Sequence, residues 1–308
     1  MQILVATEKP FAPVAITQIR EVVEKGGHTL TLVEKYKTPQ ELQAAVTGAD
    51  ALIVRSDIVD AALIAAAPVL KIVVRAGAGY DNLDLNACTA RNVVAMNTPG
   101  QNSNAVGELA FGMMLFSARG GFDGKTGTEL LGKTLGLHGF GNVGKCMARI
   151  AEGFGMKTCA FDPFVDKKAI LDAGVIPVDS LEELYSSCQY ISLHLPSNDK
   201  TKNSIGERLL SLMPKGAVLV NTARKEVINE AELAAMMEKR TDMKYLSDIA
   251  PDNAELFASK YPGRYFFTPK KMGAQTEEAN VNAGVAAARQ IVSFFASGDE
   301  TFRVNKPK

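Results

Sequence analysis

Short apolar, β-branched runs recur along almost the whole chain, separated by helix-like stretches. They are ILVAT (3–7), TLTLVE (29–34), ALIVRS (51–56), KIVVRA (71–76), VVAMN (93–97), TLGLHG (134–139), KTCAFD (157–162), YISLHL (190–195), AVLVNT (217–222), KYLSDI (244–249) and YFFTP (265–269). Strands alternating with helical segments predict parallel sheets with crossover helices. The runs are continuous rather than alternating, so the strands should be covered on both faces. Eleven strands overfill one ordinary sheet, and the pattern therefore predicts an α/β chain with two sheets in two domains. The stretch 102–119 (NSNAVGELAFGMMLFSAR within it) has helical spacing after the Thr98-Pro99-Gly100 turn and marks the crossing between them. A second helix over 275–296 carries the chain back.

Composition narrows the classes of function. A chain of 308 residues suits about two domains, and 46% apolar residues can fill them. Lysine plus arginine (34) balances aspartate plus glutamate (34), which leaves no basic footprint for a phosphate backbone; nucleic acid is not expected as a partner. Cys88, Cys146, Cys159 and Cys188 lack metal-ligand or CxxC spacing, and the N-terminus lacks a basic start followed by an apolar stretch, which points to reduced thiols in a cytoplasmic protein. The longest apolar run, LAFGMMLFSA, stops after ten residues, short of the ~18–20 that cross a bilayer, so no membrane partner is expected either.

TLGLHGFGNVGKCMARIAEGFGMKTCAFDPF (134–164) carries Gly139-x-Gly141-x-x-Gly144 between a strand and a helix, and the next strand ends in Asp162, 21 residues after Gly141. This context turns a weak motif into a dinucleotide fingerprint. Gly139 permits the tight turn, Gly141 lets the backbone approach a diphosphate, Gly144 lets the helix pack on the strand, and Phe140, Asn142 and Val143 complete the loop at the helix N-terminus. Asp162 suits the ribose hydroxyls of NAD and would repel the 2′-phosphate of NADP. Further strand ends deliver Thr222, Ala223 and Arg224, then Asp248, then Lys270 and Lys271, to the edge where ligands bind in open α/β sheets.

The glycine loop with Asp162, then SLHLP, VNTAR, SDIAP and TPKKMGAQTEEA in this order, resemble the D-isomer-specific 2-hydroxyacid dehydrogenases over essentially the whole chain. VRSD (54–57), VVRAGAGYDNLD (73–84) and NTPGQNSNAVGELA (97–110) narrow the resemblance to the phosphoglycerate dehydrogenase branch, in a short form without a C-terminal regulatory domain. The resemblance implies a Rossmann-type NAD domain over 98–282 and a flavodoxin-like substrate domain from 1–97 and 283–308. It maps the family's catalytic arginine onto Arg224, whose planar fork would hold the substrate carboxylate and polarise the C2 oxygen. It puts Asp248 and His194 beside the cofactor and has the backbone around Ala76, Gly77, Ala78 and Gly79 offer N–H groups to the substrate. It also implies a homodimer built on the NAD domain and the 102–119 helix.

Two departures concern the acid/base. Where most of the family has Thr-Pro-His before Gly-Ala, alignment back from Gly273-Ala274 puts Lys271 in the histidine's place, with one extra residue upstream. The glutamate that would orient the histidine is replaced by Asn253, beside Asp252. An ammonium has no tautomer to fix, so the two losses belong together, and the combination resembles a lysine-type subgroup. A free lysine has a pKa near ~10.4 and must be pushed down to act as a base; Lys271 is expected to do this with Lys270 assisting substrate charge.

Arg55, with Ser56, and Arg75 also follow strands and resemble a phosphate clamp. The expected reaction is hydride transfer between C2 of 3-phosphoglycerate or 3-phosphohydroxypyruvate and nicotinamide, the first step of serine biosynthesis. Hydroxypyruvate, glyoxylate or another small 2-oxo acid is the alternative substrate, and an NAD-sensing binding protein the non-enzyme alternative. His28, His138 and His194 form no cluster, so no metal is expected.

Overall fold

The computed structural model describes residues 1–306. Two units emerge: Met1–Asn102 with the chain from Gln275 onward, and Ser103–Ala274.

The first unit carries five strands: β1 (Gln2–Thr7), β2 (Thr29–Glu34), β3 (Ala51–Val54), β4 (Ile72–Arg75) and β5 (Val94–Asn97), in spatial order β2-β1-β3-β4-β5 and parallel throughout. All four residues of β3 and of β5 are buried, as continuous apolar runs require. The helix Glu277–Ser297 is capped by Thr276, whose Oγ1 accepts from Ala279 N at 3.1 Å, and ends at Gly298 in the left-handed region (φ 71°). It packs on the helix Pro13–Lys25 so closely that a Cβ at Gly284 would stand 2.8 Å from Ile19 Cδ1. Val285, Ala287, Ala288 and Ile291 thereby join Ile3, Val5 and Ile53 in one core, each large side chain contributing about 1.5–3 kcal/mol by leaving water. The chain beyond this helix then runs antiparallel along the open edge of β5. Val304 N donates to Ala95 O (2.8 Å), while the buried Asn305 accepts from Ala95 N (2.9 Å) and donates to Val93 O (2.9 Å).

The second unit holds β6 (Thr134–His138), β7 (Lys157–Phe161), β8 (Ile176–Pro177), β9 (Tyr190–Leu193), β10 (Val218–Asn221), β11 (Lys244–Ser247) and β12 (Tyr265–Phe267), in spatial order β12-β11-β10-β9-β6-β7-β8 and again parallel. This is the doubly wound arrangement of a Rossmann-type domain. The helix Ser103–Ala118 opens the unit and packs on the helix Asn142–Gly153.

All eleven anticipated strands form. β8 was not anticipated, because two residues ending in proline leave no apolar run to read. The expected divisions at 97/98 and 282/283 fall at 102/103 and 274/275. Thr98 stays with the first sheet through its N–H bond to Gly77 O (3.0 Å), and the helix Glu277–Ser297 belongs wholly to that unit.

Candidate active site

In the second unit the chain leaves β6 through Gly139, held at φ 98°, where a Cβ would lie 2.7 Å from His194 O. A Cβ at Gly144 would stand 2.6 Å from Gly139 O. Both glycines are thus required by close backbone approach. Gly141 differs: its φ of −76° suits any residue, and a Cβ there meets no atom within 4 Å. Neither torsion nor a protein neighbour asks for glycine, so the position leaves an open cradle above the helix Asn142–Gly153. That helix has no side-chain N-cap, and its first N–H groups, those of Asn142, Val143 and Gly144, have no intrahelical partner. Open space beside unsatisfied N–H groups at a helix N-terminus fits a diphosphate.

Phe140, expected to contribute to the loop, sends its side chain into the core (0% exposed), and its N–H donates to Asp162 Oδ2 (2.8 Å). Asp162 Oδ1 accepts from Phe164 N (2.9 Å). The carboxylate at the end of β7 thereby ties both chain segments together. Each of its oxygens keeps a lone pair, so two ribose hydroxyls can still donate to it. His194 follows β9; burial pushes its pKa down to about 3, and the neutral ring leaves Nε2 buried without a partner among the described residues. The buried Thr222 Oγ1 is likewise unpartnered.

The turn after β10 is built by Asn221, which the sequence did not single out as functional. Its Oδ1 accepts from Ala223 N (3.0 Å) and its Nδ2 donates to Arg224 O (3.0 Å), an Asx-type turn that brings the chain around at Arg224. Arg224 Nη1 donates to Ala223 O (3.0 Å). The same carbonyl accepts from Lys271 Nζ at 2.8 Å, and Asp248 Oδ1 lies 3.5 Å from that ammonium. Asp248 is fully buried, and its Oδ2 accepts from Gly273 N (3.0 Å), so one carboxylate anchors the chain on both sides of Met272. Burial holds the Lys271 pKa below the ordinary lysine value, Arg224 pushes the same way, and Asp248 opposes both.

Lys270 is exposed, and its carbonyl accepts from Thr268 Oγ1 (2.7 Å). Asn253 turns to the neighbouring helix, where Nδ2 donates to Glu230 O (3.3 Å) and its N–H to Glu230 Oε2 (3.2 Å). Asp252 pairs with Lys225. Neither takes up the position of a partner for Lys271 among the described residues; Asp248 does.

In the first unit Arg55 and Arg75 lie just beyond β3 and at the end of β4. Arg75 Nε donates to Arg55 O (3.0 Å), and its Nη1 passes so close to Gly77 that a Cβ there would lie 1.8 Å away. Ser56 is exposed beside them. The expected row of backbone donors needs correction. Ala76 N is spent on Val54 O (2.8 Å), completing the sheet, and Gly77 N on Arg75 O (2.9 Å), which leaves Ala78 and Gly79 to donate. Among the described residues no cluster of His, Cys, Asp or Glu could hold a metal, and no helix is long and apolar enough to cross a membrane.

Residues 116–260 match the profile of the D-isomer specific 2-hydroxyacid dehydrogenase NAD binding domain. A solved NAD+-bound 3-phosphoglycerate dehydrogenase from Entamoeba histolytica is 49% identical and superimposes with a TM-score of 0.88, covering 99% of each chain. The D-3-phosphoglycerate dehydrogenase of Methanocaldococcus jannaschii is 36% identical over 82% of this chain and 51% of its own length. The chain thus spans about half the length of the curated phosphoglycerate dehydrogenases it matches. A hydroxypyruvate reductase of Thermotoga maritima is 34% identical over 85% of this chain and 90% of its own. With its doubly wound second unit, its glycine loop and these likenesses, the chain belongs to the D-isomer-specific 2-hydroxyacid dehydrogenase family.

Proposed function

We propose that the protein is an NAD-dependent dehydrogenase that interconverts 3-phosphoglycerate and 3-phosphohydroxypyruvate, with Lys271 as acid/base and Arg224 as electrophile. The observation that carries this reading is the meeting of Lys271 Nζ with Ala223 O at 2.8 Å, which brings a lysine of lowered pKa to the turn that carries Arg224. NAD, when bound, supplies the hydride acceptor or donor at C4 of its nicotinamide ring. Gly141, the first turn of the helix after it and Asp162 would hold the diphosphate and the ribose, and His194, Thr222, Ala223 and Asp248 would border the ring.

The planar Arg224 guanidinium can bind the substrate carboxylate and draw electron density from the C2 oxygen in both directions. For oxidation Lys271 takes the C2 hydroxyl proton as a free amine; for reduction its ammonium returns one to the C2 oxygen. Because burial and Arg224 lower its pKa, a larger share is neutral near pH 7 than in a free lysine, and Asp248 keeps the shift from running further. Arg55 and Arg75 would take the phosphate, with Ser56, Ala78 and Lys270 assisting substrate charge.

Location in the cytoplasm and assembly as a homodimer belong to the same proposal. The four cysteines are free thiols, and two large apolar side chains following the helix Ser103–Ala118, Phe122 and Leu131, are each 67% exposed.

A second reading, reduction of hydroxypyruvate, is favoured by the Thermotoga maritima relative, which the chain matches over nearly that relative's full length. NADH oxidation with 3-phosphohydroxypyruvate and with hydroxypyruvate at equal concentrations separates them. A strong preference for the phosphorylated acid is expected; equal rates would favour the second reading, and no turnover of either would sink both.

A further inference from the structure

We infer that Asn280, in the first turn of the helix Glu277–Ser297, sets substrate specificity by holding the Arg55 guanidinium through a neutral acceptor that adds no negative charge to it. The inference rests on the proposal that Arg55 receives the substrate phosphate.

Arg55 Nη1 donates to Lys9 O (3.0 Å) and Pro10 O (2.8 Å), and Nη2 donates to Asn280 Oδ1 (2.5 Å). All three acceptors are neutral. The guanidinium also lies over the Phe11 ring, 5.1 Å from its centroid. The nearby carboxylate, Asp57, is occupied elsewhere: it accepts from Glu8 N (2.7 Å), from Tyr36 Oη (2.5 Å) and from the backbone N of Arg55 (3.0 Å). Asp57 therefore fixes the main chain at residue 55 and makes no ion pair with the side chain, although its charge still acts on the guanidinium from a distance. No carboxylate forms an ion pair with the Arg55 guanidinium among the described residues.

A guanidinium has five N–H donors. Both on Nη1 and one on Nη2 are engaged by these acceptors, which leaves the Nε–H and the other Nη2–H for a ligand. Two donors on one planar group are what a tetrahedral oxyanion accepts. Asn280 is itself fixed, since its Nδ2 donates to Thr276 O (2.7 Å) and its N–H to the same carbonyl (3.2 Å). With Nδ2 committed to the helix, Oδ1 is the atom that faces Arg55. An aspartate has the same shape, but it could not donate to Thr276 O, and its charge would neutralise the arginine and repel a phosphate.

Asn280 is thus a positioning residue, and the test reads discrimination between substrates. The holoenzyme is assayed in the reductive direction with 3-phosphohydroxypyruvate and with hydroxypyruvate, as wild type, R55A, N280A and N280D. Competitive inhibition by inorganic phosphate is measured on each, and NADH affinity checks folding. For N280A we expect KM for the phosphorylated acid to rise about tenfold, with kcat within about twofold, and the ratio of kcat/KM for the two acids to fall by the same factor. N280D keeps the volume and the acceptor toward Arg55 but, like N280A, loses the donor to Thr276 O; its added charge should lower the ratio about a hundredfold and raise the phosphate inhibition constant in parallel. A ratio unchanged in N280D, while wild type discriminates and R55A does not, overturns the inference and leaves the phosphate reading standing. A wild type that does not prefer the phosphorylated acid, or an R55A enzyme that still does, overturns the phosphate reading, and the inference falls with it.

Discussion

Replacing Gly141 and Gly144 by alanine, one at a time, should separate binding from folding within one loop. At Gly144 the added methyl would start 2.6 Å from Gly139 O, so the loop must open by roughly half an ångström or more. Overpacking of this kind costs about 1–3 kcal/mol. For a domain of this size it lowers Tm by ~2–4 °C per kcal/mol, so a fall of roughly 6 °C is expected for a cost near the middle of the range. At Gly141 the methyl meets nothing within 4 Å and φ is −76°, so stability should stay within about 0.5 kcal/mol of wild type. If a diphosphate fills that space, however, the methyl pushes it off the first-turn N–H groups. Losing one charge-assisted hydrogen bond is worth about 1.5–3 kcal/mol, or about ten- to a hundredfold in Kd. Thermal unfolding of the apo protein and NADH titration by fluorescence give the two readouts. A Gly141→Ala protein that binds NADH as wild type does would refute the assignment of the cradle, and a destabilised one would refute the claim that the space is empty of protein.

Lys271→Met should lower kcat about 10²–10⁴-fold while NADH still binds, as loss of a general acid/base does; retained turnover in steady-state assays would leave Arg224 to act alone. Asp248→Asn removes the group that opposes the downward shift at Lys271, so the Lys271 pKa should fall further. The high-pH limb of the reduction profile, which needs the ammonium, and the low-pH limb of the oxidation profile, which needs the amine, should both move to lower pH; limbs that stay or rise would show that Asp248 does not act on Lys271. Asp242 accepts from Arg240 and from Gly216 N (2.7 Å), and these bonds hold its pKa down to about 2. A depressed folded-state pKa gives stability that is present above about pH 4 and disappears as pH falls toward 2, here at most about 2 kcal/mol for a carboxylate 28% exposed. Asp242→Asn should therefore flatten the acid limb of the urea-unfolding curve, and an unchanged pH slope would count against the pairing.

The strands were legible because each is a continuous apolar run, and such runs have few alternatives to a doubly covered sheet. Which N–H groups remain available was not legible. VVRAGAGYDN shows a flexible backbone after β4, but only the register of β4 beside β3 reveals that Ala76 N belongs to the ladder. The glycine motif likewise identified the loop without showing that Phe140 turns inward and spends its N–H on Asp162. Replacement of the family histidine by Lys271 could be aligned, yet its partner could not. The sequence pointed to the missing glutamate, whereas the carboxylate that reaches Lys271 is Asp248, which lies on the adjacent strand's end. Asn280 gave no signal at all, since an asparagine in a helical first turn reads as an ordinary polar position until Arg55 is found against it.

Because the first unit is assembled from segments on either side of the second, its order of folding during synthesis is constrained. Strands β1 to β5 leave the ribosome before the second unit, but Val285, Ala287, Ala288 and Ile291, which help cover Ile3, Val5 and Ile53, and the segment that bonds Ala95, leave it after that unit. The second unit is one continuous stretch and can complete its core while the first sheet waits with one apolar face only partly covered, by the helix Pro13–Lys25. That interval, about 170 residues of translation long at roughly 5–20 residues per second, is when the nascent chain is most open to aggregation and to chaperone capture.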